Sequence, residues 1–266
     1  MTMMLTTYLA SLSPLALLRS LPGACAQGLI WGLLALGVYI TYKLLDFADL
    51  TVDGTLATGG AVTAMMILNG YSPVVSLVAV MLIRAGMNPW LALIFAFLAG
   101  MAAGFITGML HTALGIPGIL ASILTQISLY SINLNILGSS NQAVSVDKYS
   151  LVVSLRYISD STASKIRMFT TCILFCVVLV AILYWYFGTE QGSAIRATGC
   201  NPAMSKAQGI NIDNMKLIGL ALSNAIVALS GGLLSQYSGF SDVNMGRGGI
   251  VIGLAAVIIG EVLGDA

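Results

Sequence analysis

Gln126, Tyr130 and Asn133 stand at i, i+4 and i+7 within an otherwise apolar run, which puts two amides and a phenol on one face of a helix. Such groups either contact a small polar molecule in a cavity or hydrogen-bond a neighbouring helix. Asp46, Asp49 and Asp53, at i, i+3 and i+7, are expected to share a helical face near the end of another apolar run. Three carboxylates there would cap helices, face water or meet a cationic group. Ser223 and Asn224 lie deep in a later run, and Glu261 lies near the end of the last one without an identifiable partner.

No residue set supports covalent catalysis. The sequence has no G-x-x-x-x-G-K-[ST] motif and no Gly-Lys pair, so any ATP must be hydrolysed on another chain and no bound cofactor is expected here. His111 is the only histidine, which excludes a multi-histidine metal site. It is expected at the end of a helix over 90–111, where a cationic side chain suits the helix dipole. Cys25, Cys172, Cys176 and Cys200 match neither a disulfide framework nor metal-ligand spacing and read as small hydrophobes.

The elements that must position these groups follow from composition. Of 266 residues, 58% are hydrophobic and 8% charged, against about 25% charged in a soluble domain. Mean hydropathy is +0.95. Runs at 24–42, 90–110, 117–137, 168–187, 217–237 and 248–264 reach or approach the ~20 residues that span a bilayer as a helix. The expected fold is all-α, a polytopic transmembrane helical bundle of about 7–9 membrane segments including short or broken helices. Net charge of +1 with no basic run argues against a nucleic-acid partner. Arg19 follows the apolar Met3 to Leu18 run instead of preceding it, so an uncleaved segment is expected at the N-terminus, and no cleavage site at Leu21 to Cys25.

Residues 62–77 and 78–93 align as a near-repeat, and Val74 to Met87 within it reads as a short span, a half-helix or a re-entrant piece. Gly28/Gly32, Gly100/Gly104/Gly108 and Gly249/Gly253 have the spacing of close helix contacts. Two polar stretches, Gly138 to Arg167 and Gly188 to Met215, are the expected extramembrane loops, and both carry basic residues, so charge does not orient the chain. In the second, Asn201 suits an N-cap, Pro202 the first helical position and Gly209 the left-handed terminator of a helix of about two turns. A helix so short and polar cannot cross lipid; it serves as a surface connector or as a contact for a soluble partner.

Gly192-Ser193-Ala194-Ile195-Arg196-Ala197-Thr198-Gly199, with Asn201-Pro202 and Gly209-Ile210-Asn211, resembles the cytoplasmic coupling loop of bacterial ABC importer permeases of the branched-chain amino acid and ribose type. Ala35 to Thr41, Leu45 to Gly54, Thr107 to Thr112 and Leu129 to Leu134 extend the resemblance over nearly the whole chain, toward a branch associated with tryptophan, tyrosine or related solutes. Relative to that family the 62–93 near-repeat looks like an insertion, and family members usually continue beyond Ala266.

The resemblance implies a single transmembrane permease domain over 1–266 with a coupling loop at 189–215, in a multi-pass protein of the bacterial inner membrane. Its implied partners are an ATP-binding subunit, an extracytoplasmic solute-binding protein, a second permease copy, the lipid bilayer and a small solute, possibly an amino acid. Glu190, Gly192, Arg196, Gly199, Asn201, Pro202, Met204 and Gly209 would couple to the ATPase. Asp46, Asp49, Asp53, Gln126, Tyr130, Asn133 and Asn224 would line the translocation path. Two other readings stand beside it. One is an ion-gradient-driven transporter with Asp46, Asp49 or Glu261 holding the cation; the other is a membrane scaffold or receptor.

Overall fold

The fold was obtained as a computed structural model that describes residues 14–68, 89–143 and 162–264. Its helices are α1 (Pro14–Tyr39), α2 (Thr51–Leu68), α3 (Pro89–Thr112), α4 (Gly118–Leu137), α5 (Thr162–Phe187), α6 (Glu190–Cys200), α7 (Pro202–Ala207), α8 (Ile212–Ser238) and α9 (Gly249–Gly264). Two three-residue strands, β1 (Asn141–Ala143) and β2 (Phe240–Asp242), pair antiparallel. Local chemistry sets several boundaries. Proline opens α3 and α7, where its missing N–H costs nothing. Gly138 and Gly239, at φ 67° and 74°, end α4 and α8.

Among the described residues, six helices are long and apolar enough to cross a membrane: Leu21–Leu44, Thr51–Leu68, Trp90–Thr112, Gly118–Leu137, Phe169–Phe187 and Ile212–Ser238. The all-α polytopic expectation holds. Thr51–Leu68 was absent from the apolar runs because threonine and glycine dilute it. Inside the bundle two of its hydroxyls find carbonyls on the same helix, Thr55 and Thr58 lying 3.2 and 2.9 Å from the Thr51 and Gly54 oxygens, while the buried Thr63 hydroxyl has no partner among the described residues.

α2 and α8 form the centre, each 83% buried across its span, whereas α5, at 6%, is peripheral and lies along α1. Three hydroxyls of α8 spaced by seven residues donate to α1 carbonyls spaced by seven: Ser223 to Gly37 (2.7 Å), Ser230 to Ile30 (2.7 Å) and Tyr237 to Gly23 (3.0 Å). These bonds make α1 and α8 antiparallel, and hydrogen bonding of this kind supplies association where lipid gives no hydrophobic drive. The Leu21 to Cys25 stretch therefore lies inside a continuous spanning helix.

Glycine sets the helix separations. A Cβ at Gly100 or Gly104 would meet the Asn224 or Leu220 carbonyl oxygen at 2.4 or 2.3 Å, and at Gly108 the Leu217 Cα at 3.1 Å, so this trio packs on α8 as its spacing predicts. Gly28 and Gly32 have nothing within 4 Å and mark no contact among the described residues. The tightest contact joins α2 to α8, where a Cβ at Gly59 would stand 1.8 Å from the Ala228 oxygen. Gly59→Ala is accordingly expected to destabilise the fold by about 2 kcal/mol or more. Thermal unfolding of the detergent-solubilised protein measures it; an unchanged midpoint would contradict this packing.

Thr51 Oγ1 lies 3.1 Å from Thr107 Oγ1, while Gly232 faces both Thr63 and Leu93. α2 and α3 are therefore antiparallel, with Leu68 and Pro89 at the same end of the bundle. The expected short span at Val74 to Met87 falls outside the described residues. The last expected span, 248–264, is observed as the 16-residue α9, and Gly249 stands beside Leu34 and Leu56. Leu34 is ten residues from the end of the first span at Leu44, about 15 Å along a helix, so α9 begins inside the bundle. After β2 the chain turns back along α2, and Gly246 lies so close that a Cβ would stand 1.9 Å from the Asp53 oxygen.

Candidate functional site

α2, α4 and the returning loop before α9 enclose a cavity of about 330 Å³ lined by Asp53, Gly54, Ala57, Gln126, Ile127, Tyr130, Asn133, Val243 and Arg247. The helical face drawn from Gln126, Tyr130 and Asn133 is thus a real one, and it faces this space. Asn133 is fully buried; its amide nitrogen donates a long 3.4 Å bond to the Gly54 carbonyl, and its Oδ1 has no partner. Arg247 comes from a segment that carried no periodic signal, and only the turn of the chain after β2 brings it here.

The three aspartates do not share a helical face, because the helix begins only at Thr51. The first span ends in a π turn, Ile40–Leu44, and an irregular stretch follows. Spacing computed for a helix fails across such a break. Asp46 is exposed, at a positive φ of 49°. Asp49 is buried: its Oδ1 accepts from Thr51 N at 2.9 Å and its Oδ2 from Asn224 Nδ2 at 2.7 Å. Asp53 alone reaches the cavity, and its oxygens accept from Gly248 N (3.2 Å) and Ile250 N (2.9 Å), capping α9. Asn224 accepts from Thr55 Oγ1 at 2.9 Å and lines the Asp49 network instead of this cavity. The interhelical-bond reading describes Asn224; the cavity-lining reading describes Gln126, Tyr130 and Asn133.

Glu261 has a partner after all, an ion pair with Lys43 at the end of the first span. His111 does not cap its own helix: Nδ1 pairs with the Ile116 carbonyl beyond α3 at 2.8 Å, and Nε2 lies 3.4 Å from Lys216 Nζ.

At the end where α5 closes and α8 begins, α6 and α7 form a surface unit. The expected loop with one short helix holds two, since Thr189 caps α6 by accepting from Gly192 N at 3.4 Å. Asn201 caps α7 by accepting from Met204 N at 3.0 Å. Beyond α7, Gly209 takes φ 82°, its N–H donating to Lys206 O and that of Ile210 to Ser205 O, both at 3.0 Å, which is a Schellman closure.

The eight coupling candidates divide by direction. Gly192 and Gly199 face inward, and a Cβ at Gly199 would stand 2.0 Å from the Leu44 oxygen, so α6 rests directly on the π turn. Arg196 donates to the Phe187 carbonyl and ties α6 to α5. Glu190, Asn201, Pro202, Met204 and Gly209 are exposed, Met204 by 58%. An apolar tip is thus presented outward on a unit whose base touches the first span.

Residues 21–264 match the family model described as branched-chain amino acid transport system / permease component. The chain belongs to this permease family. A tyrosine transport system permease protein of Clostridioides difficile is 39% identical over 237 residues, covering 89% of this chain and 71% of that protein. An uncharacterized protein of Rickettsia prowazekii is 34% identical over 238 residues, covering 90% and 75%. An autoinducer 2 import system permease protein of Yersinia enterocolitica is 29% identical over 182 residues, covering 68% of this chain and 48% of its own. No solved structure matches. The protein is a multi-pass permease component of an ABC importer, a transport subunit, and the ion-gradient alternative finds no support.

Proposed function

We propose that the permease carries a small amino acid, with tyrosine-like solutes as the first candidates, across the bacterial inner membrane as half of a homodimer. In this reading ATP is hydrolysed on separate subunits docked at the α6–α7 end, and a solute-binding protein delivers at the end marked by β1 and β2. The cytoplasm then lies on the α6–α7 side. The permease itself binds no ATP.

The observation that carries the reading is the pairing of two features on one chain. A cavity with polar groups in its wall opens between helices of the bundle, and a capped two-helix surface unit rests through α6 on the end of the first span. The resemblance to the tyrosine permease of Clostridioides difficile supports the solute class.

Proteoliposomes holding the permease with its ATP-binding and solute-binding partners test it. Labelled L-tyrosine is expected to accumulate only when ATP is present on the α6–α7 side. Accumulation that continues without ATP, or that stops on collapsing ion gradients while ATP is maintained, would refute the proposal.

A further inference from the structure

Five polar side chains, Asp53, Gln126, Tyr130, Asn133 and Arg247, line the cavity between α2, α4 and the loop before α9, and they are not equally free. Asp53 is engaged by two backbone N–H groups at the start of α9. Its negative charge is thereby set against the positive end of that helix. Arg247 is exposed and makes no ion pair and no side-chain hydrogen bond among the described residues, and the half-open cavity it lines lies beside the start of α9, which begins inside the bundle. A guanidinium at that depth is costly unless it faces a wet path or a counter-charge. Asn133 adds a second unmet demand, an acceptor that is fully buried and unpaired. An orphaned buried acceptor is unfavourable, so a donor that reaches Asn133 from the cavity it lines supplies the missing partner.

We infer that Arg247 and Asn133 form a solute subsite in the permeation path, Arg247 receiving a carboxylate and the Asn133 amide oxygen receiving an ammonium. The matching ligand class is a zwitterionic α-amino acid. An amine without a carboxylate leaves Arg247 unanswered, and an acid without a donor leaves Asn133 so. Gln126 and Tyr130, one helical turn apart on the same face, border the same space and meet the remainder of the solute. Guanidinium is suited to this task because its planar fork matches a carboxylate with two parallel N–H donors. The inference deepens the import reading by naming groups that select the solute inside the membrane, apart from any selection by a binding protein.

The test uses the full chain with the exposed Cys25 and Cys200 replaced by serine and Ile127→Cys as a reporter in the cavity wall. Its rate of reaction with an anionic thiosulfonate reagent is expected to exceed that with a cationic one of similar size by roughly tenfold or more. Arg247→Gln should erase this preference and Arg247→Lys retain it, which separates lost charge from lost folding. Millimolar L-tyrosine should slow the reaction, tyramine should not, and Asn133→Ala should remove the protection. Equal reagent rates, a preference that survives Arg247→Gln, or protection that is absent or shared by tyramine would overturn the assignment. Neither ATP nor a partner subunit enters the measurement. Failure of ATP-driven uptake would therefore sink the import reading and leave this result standing, and the reverse holds as well.

Discussion

Met204→Asp in the permease is expected to lower ATP-driven uptake by more than roughly tenfold while the assembled importer still hydrolyses ATP. Met204 is 58% exposed on α7, outward of a helix whose two ends are fixed by Asn201 and Gly209. Docking that side chain into a partner removes apolar surface worth about 2 kcal/mol from water, and a carboxylate in its place adds a desolvation cost. Met204→Leu should be tolerated, because volume and polarity are kept. Ser205→Pro should uncouple by another route. It deletes the 3.1 Å bond from Ser205 N to the Asn201 carbonyl and with it the helix that holds Met204 out. The measurement is uptake per ATP hydrolysed in proteoliposomes. If Met204→Asp and Ser205→Pro both keep the wild-type ratio, α7 is an ordinary connector and the coupling assignment is lost. The force path would run through Gly199, where α6 meets the Leu44 carbonyl, into the π turn and the first span.

Asn224→Ala is expected to be the most damaging of the conservative truncations in the bundle, by about 3 kcal/mol or more. Asn224 donates to Asp49 Oδ2 at 2.7 Å and to the Leu220 carbonyl at 3.0 Å, and accepts from Thr55 at 2.9 Å. Thr51 links the same group to α3 through Thr107. Removing the amide takes the partner from Asp49 Oδ2 in a fully buried position, while Thr55 keeps the Thr51 carbonyl and Asp49 Oδ1 keeps the Thr51 N–H. Asp49→Asn leaves an oxygen to accept from Thr51 N, and the Asn224 amide must turn over to present its oxygen to the new NH2, with Thr55 then accepting from Asn224, so its loss should be about 1 kcal/mol. Thermal unfolding in detergent orders the two variants. Asn224→Ala as stable as the wild type, or less damaging than Asp49→Asn, would show that the network does not hold the bundle. This cluster ties the irregular stretch before α2 to α3 and α8, and a polar group with that task is structural, whatever its depth.

Residues whose meaning depends on near neighbours in the chain were legible. Asn201, Pro202 and Gly209 act within a single turn, so cap, first position and terminator could be read directly, and each takes that place. Gln126, Tyr130 and Asn133 lie inside one uninterrupted helix, so the 3.6-residue period carried them to a common face. Asp46, Asp49 and Asp53 obey the same arithmetic on paper but straddle a π turn and an irregular stretch, where it does not apply. α2 escaped because hydropathy measures preference for lipid, and α2 is covered on nearly all sides by protein.

The sequence by itself determined that the chain lives in a membrane, that it is helical, and that the segment from Glu190 to Asn211 is a capped surface element, because hydropathy, backbone satisfaction and capping act over one helix or less. Only the tertiary structure decided which polar groups serve transport and which serve the fold. Asp53 and Asp49 are both acids near the start of α2, yet one meets the N-terminus of α9 and the other meets Asn224 on α8. Arg247 joins Asn133 only because the chain returns along α2 after β2. Contacts between residues more than a hundred positions apart depend on the helix packing that glycines and interhelical hydrogen bonds set, and no local pattern records which backbones will meet.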